Sequence, residues 1–132
     1  MRRSQIGSDL HDAEILLLDT MGELRTVYSL ASVAVIGGSF LPFGGHNPLE
    51  PAALRKAIVF GPEMFNFKDI SELFIRESAA LRCTIDDLPR VLIDVLKNPE
   101  LQNAYGERAY DTLRRNQGAT AATLNLLLPY IQ

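Results

Sequence analysis

The chain has 132 residues, enough for one compact domain, and its 47% hydrophobic and 22% charged residues are typical of a soluble globular protein. A formal charge of -3 argues against nucleic-acid binding, which needs clustered Lys and Arg, and a single cysteine excludes an internal disulfide and suits a reducing, cytoplasmic compartment. The apolar runs are shorter than the roughly 20 residues that span a bilayer, so the chain predicts no transmembrane helix.

Four short apolar runs predict β-strands. They cover residues 14–18, 33–37, 57–60 and 81–85. Because each run is nearly continuous in apolar residues and longer amphipathic stretches separate the runs, they fit parallel strands that helices cover on both faces. The sequence therefore predicts an α/β fold with a Rossmann-like, doubly wound parallel sheet, formed as a single domain over residues 1–132 and ending in helices.

Six amphipathic stretches predict helices. They lie at about residues 22–32, 48–56, 68–78, 88–96, 100–115 and 119–128. Asn47 as a cap and Pro48 at the first helical position indicate the start of the second helix. The fourth helix should bury four apolar side chains, namely Leu88, Leu92, Val95 and Leu96.

The end of the chain is predicted to be wholly helical. Gly118 can take the left-handed conformation that ends the fifth helix. The last helix carries an apolar stripe of Leu124, Leu127, Leu128 and Ile131. We expect this stripe to pack against the same domain or against a neighbouring one.

A glycine-rich loop with the sequence GGSFLPFGGHNPLEP covers residues 37–51 and joins a predicted strand to a predicted helix. Glycines let a ligand approach the backbone, and the first N–H groups of a helix favour an anion, so the loop suits a phosphate at the carboxyl end of the sheet. The alternative is architectural, because Gly44 and Gly45 can shape a turn. The loop lacks the phosphate-binding lysine motif and the dinucleotide fingerprint, so ATP and NAD are poorly supported.

Three side chains of this loop are the strongest ligand candidates. His46 can donate a hydrogen bond to a phosphate or a sugar carboxylate. Glu50 can accept two hydrogen bonds from a ribose diol, or it can form a capping box with Asn47. No second His or Cys lies at ligand spacing from His46, so we predict no metal site.

Two further clusters follow predicted strands. In the segment 19–28, Thr20, Gly22 and the backbone N–H groups of residues 21–23 can meet a phosphate, although a helix cap explains the same pattern. In the segment 61–67, Phe65 and Phe67 can form the wall of a base or sugar pocket, although aromatic residues at such a junction also belong to cores.

The three clusters together resemble a known family. The motifs are RRS at residues 2–4, DTMGEL at 19–24, GGSF at 37–40, GGHNPLEPA at 44–52, and GP and NF at 61–62 and 66–67. In this order and spacing they resemble the Kdo (3-deoxy-D-manno-octulosonate) transferases, which have the two-domain GT-B glycosyltransferase architecture. The string GGHNPLEP is the specific part of the resemblance.

The resemblance implies a donor-binding, carboxyl-terminal domain whose parent enzyme transfers Kdo from CMP-Kdo to the lipid A precursor in lipopolysaccharide biosynthesis. The reaction would take place at the cytoplasmic face of the inner membrane without a metal or other cofactor. The implied donor-contacting residues are Met21, Gly22, Glu23, Ser39, Gly44, Gly45, His46, Asn47, Glu50 and Asn66.

The resemblance also implies that this chain is part of an enzyme. The general base and the lipid acceptor site would belong to an amino-terminal domain, so we expect the chain alone to be inactive. The sheet would lack strands at its amino-terminal edge, and an uncovered edge invites self-association of the fragment.

Two alternatives remain at this stage. One is a different sugar-nucleotide enzyme, but the string GGHNPLEP favours a Kdo transferase over it. The other is a stand-alone α/β nucleotide-binding or receiver-like module. Receivers carry an acidic cluster at their strand ends, and only Asp19 is comparably placed in this sequence.

Overall fold

A computed structural model describes residues 1–5, 13–118, 123–124 and 126–130. Strands and helices alternate along most of the chain. The elements are α1 (Leu24–Leu30), β1 (Val33–Val35), α2 (Leu49–Ala53), β2 (Ala57–Phe60), α3 (Lys68–Arg76), β3 (Leu81–Arg82), α4 (Leu88–Leu96) and α5 (Pro99–Arg115). Short 3-10 turns form at Arg3–Gln5, Phe65–Phe67 and Leu128–Tyr130.

The three strands form one parallel sheet in the order β1-β2-β3. Val33 lies opposite Ala57, and Val59 lies opposite Leu81. All four residues of β2 are buried, which requires cover on both faces of this central strand. The predicted α/β fold with a parallel sheet is therefore confirmed, with β1 and β3 shorter than predicted.

The predicted strand at residues 14–18 is wrong. Leu17 forms an isolated parallel bridge to Arg2, and the Ile15 carbonyl accepts a hydrogen bond from the Met1 amino terminus at 2.9 Å, but the run does not join the sheet of β1, β2 and β3. Ile15, Leu16 and Leu17 are exposed. An apolar run becomes a regular strand only when a neighbouring strand completes its hydrogen bonds, and in the described part of the chain only the short segment 1–3 bonds to this run, at Ile15 and Leu17.

The helices follow the predicted order; α1, α2 and α3 are shorter than predicted, α4 has the predicted bounds, and α5 begins one residue earlier. The helix α1 covers 24–30 where residues 22–32 were expected, and α2 covers 49–53 where 48–56 were expected. In α4, Val95 is buried, but the predicted burial of Leu96 is wrong because its side chain is 53% exposed. On a helical wheel Leu96 lies about 80° from Leu88, so it turns away from the contact of α4 with β1 and α5.

The core lies between the sheet and the helices. Its largest fully buried members, Ile36, Ile58, Phe60 and Phe74, join Ala52 of α2 and Ala109 of α5 in one cluster. Phe67, Ile70 and Leu113 pack partly buried against that cluster. The core therefore fixes the positions at which β1 and β2 end, where the glycine-rich loop and the segment 61–67 begin.

The end of the chain is partly described. Gly118 has a φ of +128°, within the left-handed region that favours glycine. The predicted helix over 119–128 falls partly outside the described residues, and Ile131 lies outside them as well. Leu124, Leu127 and Leu128 are about half exposed, so within the described structure the apolar stripe is not packed into the core. Among the described residues, no helix is both long and apolar enough to cross a membrane.

Candidate functional site

The glycine-rich loop closes on itself directly after β1. The N–H of Gly45 donates to the Gly38 carbonyl at 3.0 Å, and the N–H of His46 donates to the Gly37 carbonyl at 3.1 Å. Gly44 and Gly45 have φ values of +86° and +75°, which only glycine adopts without strain. These contacts return the chain to the end of β1 and place His46 beside Gly37.

A cleft of about 510 Å³ opens at this point of the sheet. Its lining residues come from α1, from the loop after β1, from the start of α2 and from the turn before α3. They are Leu24, Tyr28, Gly37, His46, Asn47, Glu50 and Phe67. The structure thus brings together the three loop side chains that the sequence predicted as ligand candidates.

His46 lies against the backbone of Gly37. A Cβ at position 37 would stand 3.3 Å from Cδ2 of the imidazole, so the absence of a side chain there lets the ring settle at the cleft. The ring is exposed to solvent. His46 is therefore open to a ligand.

Asn47 and Glu50 have different roles at the start of α2. The Oδ1 atom of Asn47 accepts a hydrogen bond from the N–H of Leu49 at 3.0 Å, so Asn47 serves the first N–H of the helix, although the helix begins one residue later than predicted and Pro48 takes the N-cap position. The Glu50 carboxylate is exposed and makes no hydrogen bond with any residue that the structure describes, so the reciprocal half of the capping box does not form. Burial, followed by the charge of Glu50, raises the pKa of Tyr28. Because its carboxylate is exposed and has no partner among the described residues, Glu50 is available to a ligand hydroxyl.

Ser39 holds the loop in place and does not face the cleft. Its side chain is fully buried. Its hydroxyl donates to the Ile36 carbonyl at 2.6 Å and accepts from the N–H of Gly61 at 2.8 Å. A side chain with no exposed surface and both hydrogen-bonding functions in use does not contact a donor in this conformation, so we reassign Ser39 to positioning the loop against the end of β2.

Gly44, Gly45 and Asn66 also serve the architecture of the loop. The side-chain amide of Asn66 donates to the Phe43 carbonyl at 3.0 Å, and its backbone N–H donates to the Gly44 carbonyl at 3.1 Å. A Cβ at Gly44 would lie 2.6 Å from the Phe65 ring, and one at Gly45 would lie 3.2 Å from Cε of Met64. None of the three lines the cleft, and contact of any of them with a ligand stays a prediction.

The predicted cluster of Met21, Gly22 and Glu23 lies outside the cleft lining. Met21 is 97% exposed, and Gly22 has a φ of +85° with open space around it. The Glu23 carboxylate pairs with Arg3, whose Nη2 and Nε donate to Oε1 at 2.8 and 3.1 Å, and it also accepts a hydrogen bond from Thr20. Glu23 therefore anchors the start of α1, and the part of α1 that lines the cleft begins at the next residue, Leu24.

Next to the pair of Arg3 and Glu23, a second pair, Ser4 and Asp19, joins the segment 1–5 to the segment that precedes α1. The N–H and hydroxyl of Ser4 both donate to the Asp19 carboxylate, at 2.8 and 2.6 Å. These bonds lower the pKa of Asp19, and the hydrogen bonds from Thr20 and then Arg3 lower the pKa of Glu23. Asp19 is thus occupied by a structural contact and does not form the open acidic cluster of a receiver.

This network should weaken in acid. Because folding lowers both pKa values, the network's contribution to stability is present above the ordinary values of 3.8 and 4.5 and is lost as the pH falls through the lowered ones. In an NMR titration, the Ser4 amide and the Thr20 methyl signals should move towards unfolded positions below about pH 4, while β2 signals change less. The variant Asp19→Asn should abolish the response of Ser4. Unchanged Ser4 and Thr20 signals down to about pH 2 would contradict this role.

Sequence reasoning missed Leu24 and Tyr28, and it left Phe67 open between pocket and core. Leu24 and Tyr28 are four residues apart, so they share one face of α1, and that spacing was the available signal. Phe67 does both jobs, because it packs against the core and also lines the cleft. Among the described residues, no group of three or more His, Cys, Asp or Glu side chains could hold a metal ion. The metal-free expectation stays a prediction.

Known proteins resemble this chain in sequence. The chain is 34% identical over 134 residues to the 3-deoxy-D-manno-octulosonic acid transferase of Haemophilus influenzae, matching 100% of this chain and 31% of that protein. It is 38% identical over 117 residues to the Bordetella pertussis enzyme of the same name, matching 86% of this chain and 27% of the relative. The chain therefore spans less than a third of the length of each of these relatives. No protein-family model matches it.

A solved structure agrees with these relatives. The crystal structure of the C-terminal CMP-Kdo binding domain of WaaA from Acinetobacter baumannii superposes with a TM-score of 0.78 at 37% identity, covering 86% of this chain and 60% of that one. Sequence and fold thus agree over most of the chain. This chain belongs to the 3-deoxy-D-manno-octulosonic acid (Kdo) transferase family and corresponds to its carboxyl-terminal domain.

Proposed function

We propose that this chain binds the CMP-sugar donor of a Kdo transferase in the cleft between α1 and the glycine-rich loop. The observation that carries the proposal is the convergence of His46, Asn47 and Glu50 with the aromatic residues Tyr28 and Phe67 in one cleft. A concave site with apolar walls and a few convergent polar groups is the usual form of a small-molecule site. The solved relative is described as a CMP-Kdo binding domain, which supports the same ligand class here.

The polar end of the cleft suits the anionic part of such a donor. The backbone N–H groups of Asn47 and Glu50 have no acceptor among the described residues. His46 adds a side-chain donor. Because α2 has only five residues, its dipole is small, and we assign the recognition of phosphate to these individual donors. The Glu50 carboxylate, which has no partner among the described residues, would accept from the ribose hydroxyls.

Membership of the family supports a proposal for the reaction of the parent enzyme. Transfer of Kdo from CMP-Kdo to the lipid A precursor, at the cytoplasmic face of the inner membrane, would use this cleft to hold the donor and stabilise the leaving phosphate. The chain spans less than a third of the length of these relatives, and the family resemblance assigns the acceptor site and the general base to an amino-terminal domain. We therefore propose that the acceptor site and the general base lie elsewhere in the parent enzyme, and that this chain alone is inactive.

The test is a titration of the ¹⁵N-labelled chain with CMP, using UMP and AMP as controls. We expect CMP to shift the amides of His46, Asn47 and Glu50, with a dissociation constant on the order of 1 mM, because one chain supplies only one side of a transferase cleft. The variant Glu50→Gln should weaken CMP binding about tenfold, since a neutral amide accepts weaker hydrogen bonds from the ribose than a carboxylate does.

The matched control is Glu100→Gln, which changes an exposed carboxylate in the first turn of α5 and should leave CMP binding unchanged. Shifts confined to residues outside the cleft, such as the arginine-rich end of α5, would contradict the proposal. So would equal loss of binding in the Glu50 and Glu100 variants.

A further inference from the structure

The polar and the apolar residues that line the cleft come from different elements of the fold. Its polar groups, at Gly37, His46, Asn47 and Glu50, all come from the loop after β1 and the start of α2. Its apolar groups come from two other elements, because α1 supplies Leu24 and Tyr28 and the turn before α3 supplies Phe67. A ligand that fills the cleft must therefore have one polar end and one end with apolar faces.

Tyr28 has no large packing role that would explain an aromatic ring at its position. The helix α1 contains no buried residue, and it contacts α2 as its main neighbour. Tyr28 itself is only partly buried, and among the described residues its hydroxyl has no hydrogen-bond partner. A tyrosine that is neither a core residue nor a hydrogen-bonding residue presents its ring to the cleft that it lines.

Phe67 leaves part of its ring free. It packs against the core cluster without being fully buried, and its remaining surface lines the cleft. Its neighbour Phe65 is more exposed and lines the opposite end of the segment, beside Glu63 and Arg82. The Phe67 ring therefore lines the cleft and the Phe65 ring does not, so Phe65 provides a matched control.

We propose that Tyr28 and Phe67 bind the nucleobase of the donor by stacking on its flat faces. This assignment rests on the proposed function, which supplies a nucleotide as the ligand. A pyrimidine ring has two apolar faces and polar edges, so it fits the aromatic part of the cleft while its ribose and phosphate reach Glu50 and His46. Because every base has a flat face, stacking supplies affinity, and the choice between bases depends on other contacts.

The experiment compares a ligand with a base and a ligand without one. The chain and its Tyr28→Leu and Phe67→Leu variants are titrated with CMP and with ribose 5-phosphate, and the initial slope of amide shift against concentration is measured. Each variant should reduce the CMP slope at least about fivefold, as loss of base stacking does elsewhere, and leave the ribose 5-phosphate slope unchanged. Tyr28→Phe, which keeps the ring, should bind CMP as the unsubstituted chain does.

The controls are Phe65→Leu and Tyr130→Leu, which remove exposed rings outside the cleft and should change neither slope. In the unsubstituted chain, CMP should shift the ring protons of Tyr28 and Phe67, and ribose 5-phosphate should not. Normal CMP binding in both cleft variants would overturn the stacking assignment while leaving the proposed function intact. Equal loss of both ligands would also overturn it, because that result indicates a collapsed cleft. If CMP does not bind the unsubstituted chain, the proposed function fails together with this assignment.

Discussion

Replacing Gly106 with alanine should lower the free energy of unfolding by about 2–4 kcal/mol, although alanine is the better helix former by about 1 kcal/mol. Gly106 is buried in α5, and a Cβ there would lie 2.7 Å from the carbonyl carbon of Arg55 and still closer to its oxygen. Arg55 cannot withdraw easily, because its guanidinium stacks 3.5 Å over Tyr110 and pairs with Glu107. The helix would have to move away from the start of β2.

Urea denaturation of Gly106→Ala measures this effect. Asn103→Ala is the matched control, since it places an alanine at an exposed position of the same helix and should be neutral or slightly stabilising. If Gly106→Ala is as stable as the control, α5 does not pack against the Arg55 backbone as closely as described.

Replacing Gly61 with alanine should destabilise the chain by a similar amount, about 2–4 kcal/mol, and should also disturb the candidate site. A Cβ at this position would lie 2.6 Å from the carbonyl carbon of Ser39 and 2.8 Å from the Phe40 ring. Ser39 is fully buried, and its carbonyl also accepts a hydrogen bond from Glu63 at 2.8 Å. The glycine-rich loop must therefore move if the end of β2 gains a methyl group.

Two measurements on Gly61→Ala separate stability from binding. Denaturation gives the loss of stability, and CMP titration under conditions where the variant is folded should give smaller shifts at His46. Gly22→Ala is the control, because its Cβ would enter open space and only the strain of its positive φ, about 1 kcal/mol, should appear. Unchanged stability and binding in Gly61→Ala would show that the loop does not depend on this close contact.

The central part of the fold was predictable because its signals are local and agree. The run AIVF of β2 is apolar at every position, which indicates burial on both faces, and the structure buries all four residues. The run ILLL at 15–18 is equally apolar, yet it is not a strand of the sheet. The hydrophobicity of a run indicates that its burial is favourable. Strand formation also needs a neighbouring strand, and no local sequence pattern reveals which segment that is.

The candidate site was predictable to the extent that one motif contains it. His46, Asn47 and Glu50 lie within five residues, so their common position follows from a single loop and helix start. Tyr28 and Leu24 join them only through the packing of α1 on α2, which depends on the whole fold. Glu23 was predicted as a ligand contact, but Arg3, 20 positions earlier in the chain, occupies its carboxylate. Pairing over that distance has no signal in a single sequence.

The cleft combines a firm side with a compliant side. Its glycine-rich loop rests on buried Ser39, whereas α1 has no buried residue and is held by its packing on α2 and by two end contacts, Arg3 on Glu23 and Lys56 Nζ on the Ser29 carbonyl at 2.8 Å. Elements with few buried contacts open at a lower free energy than the core. If the donor binds as proposed, α1 would be the side of the cleft that adjusts to it, so we expect its two end contacts to influence the nucleotide affinity along with the groups that touch the nucleotide.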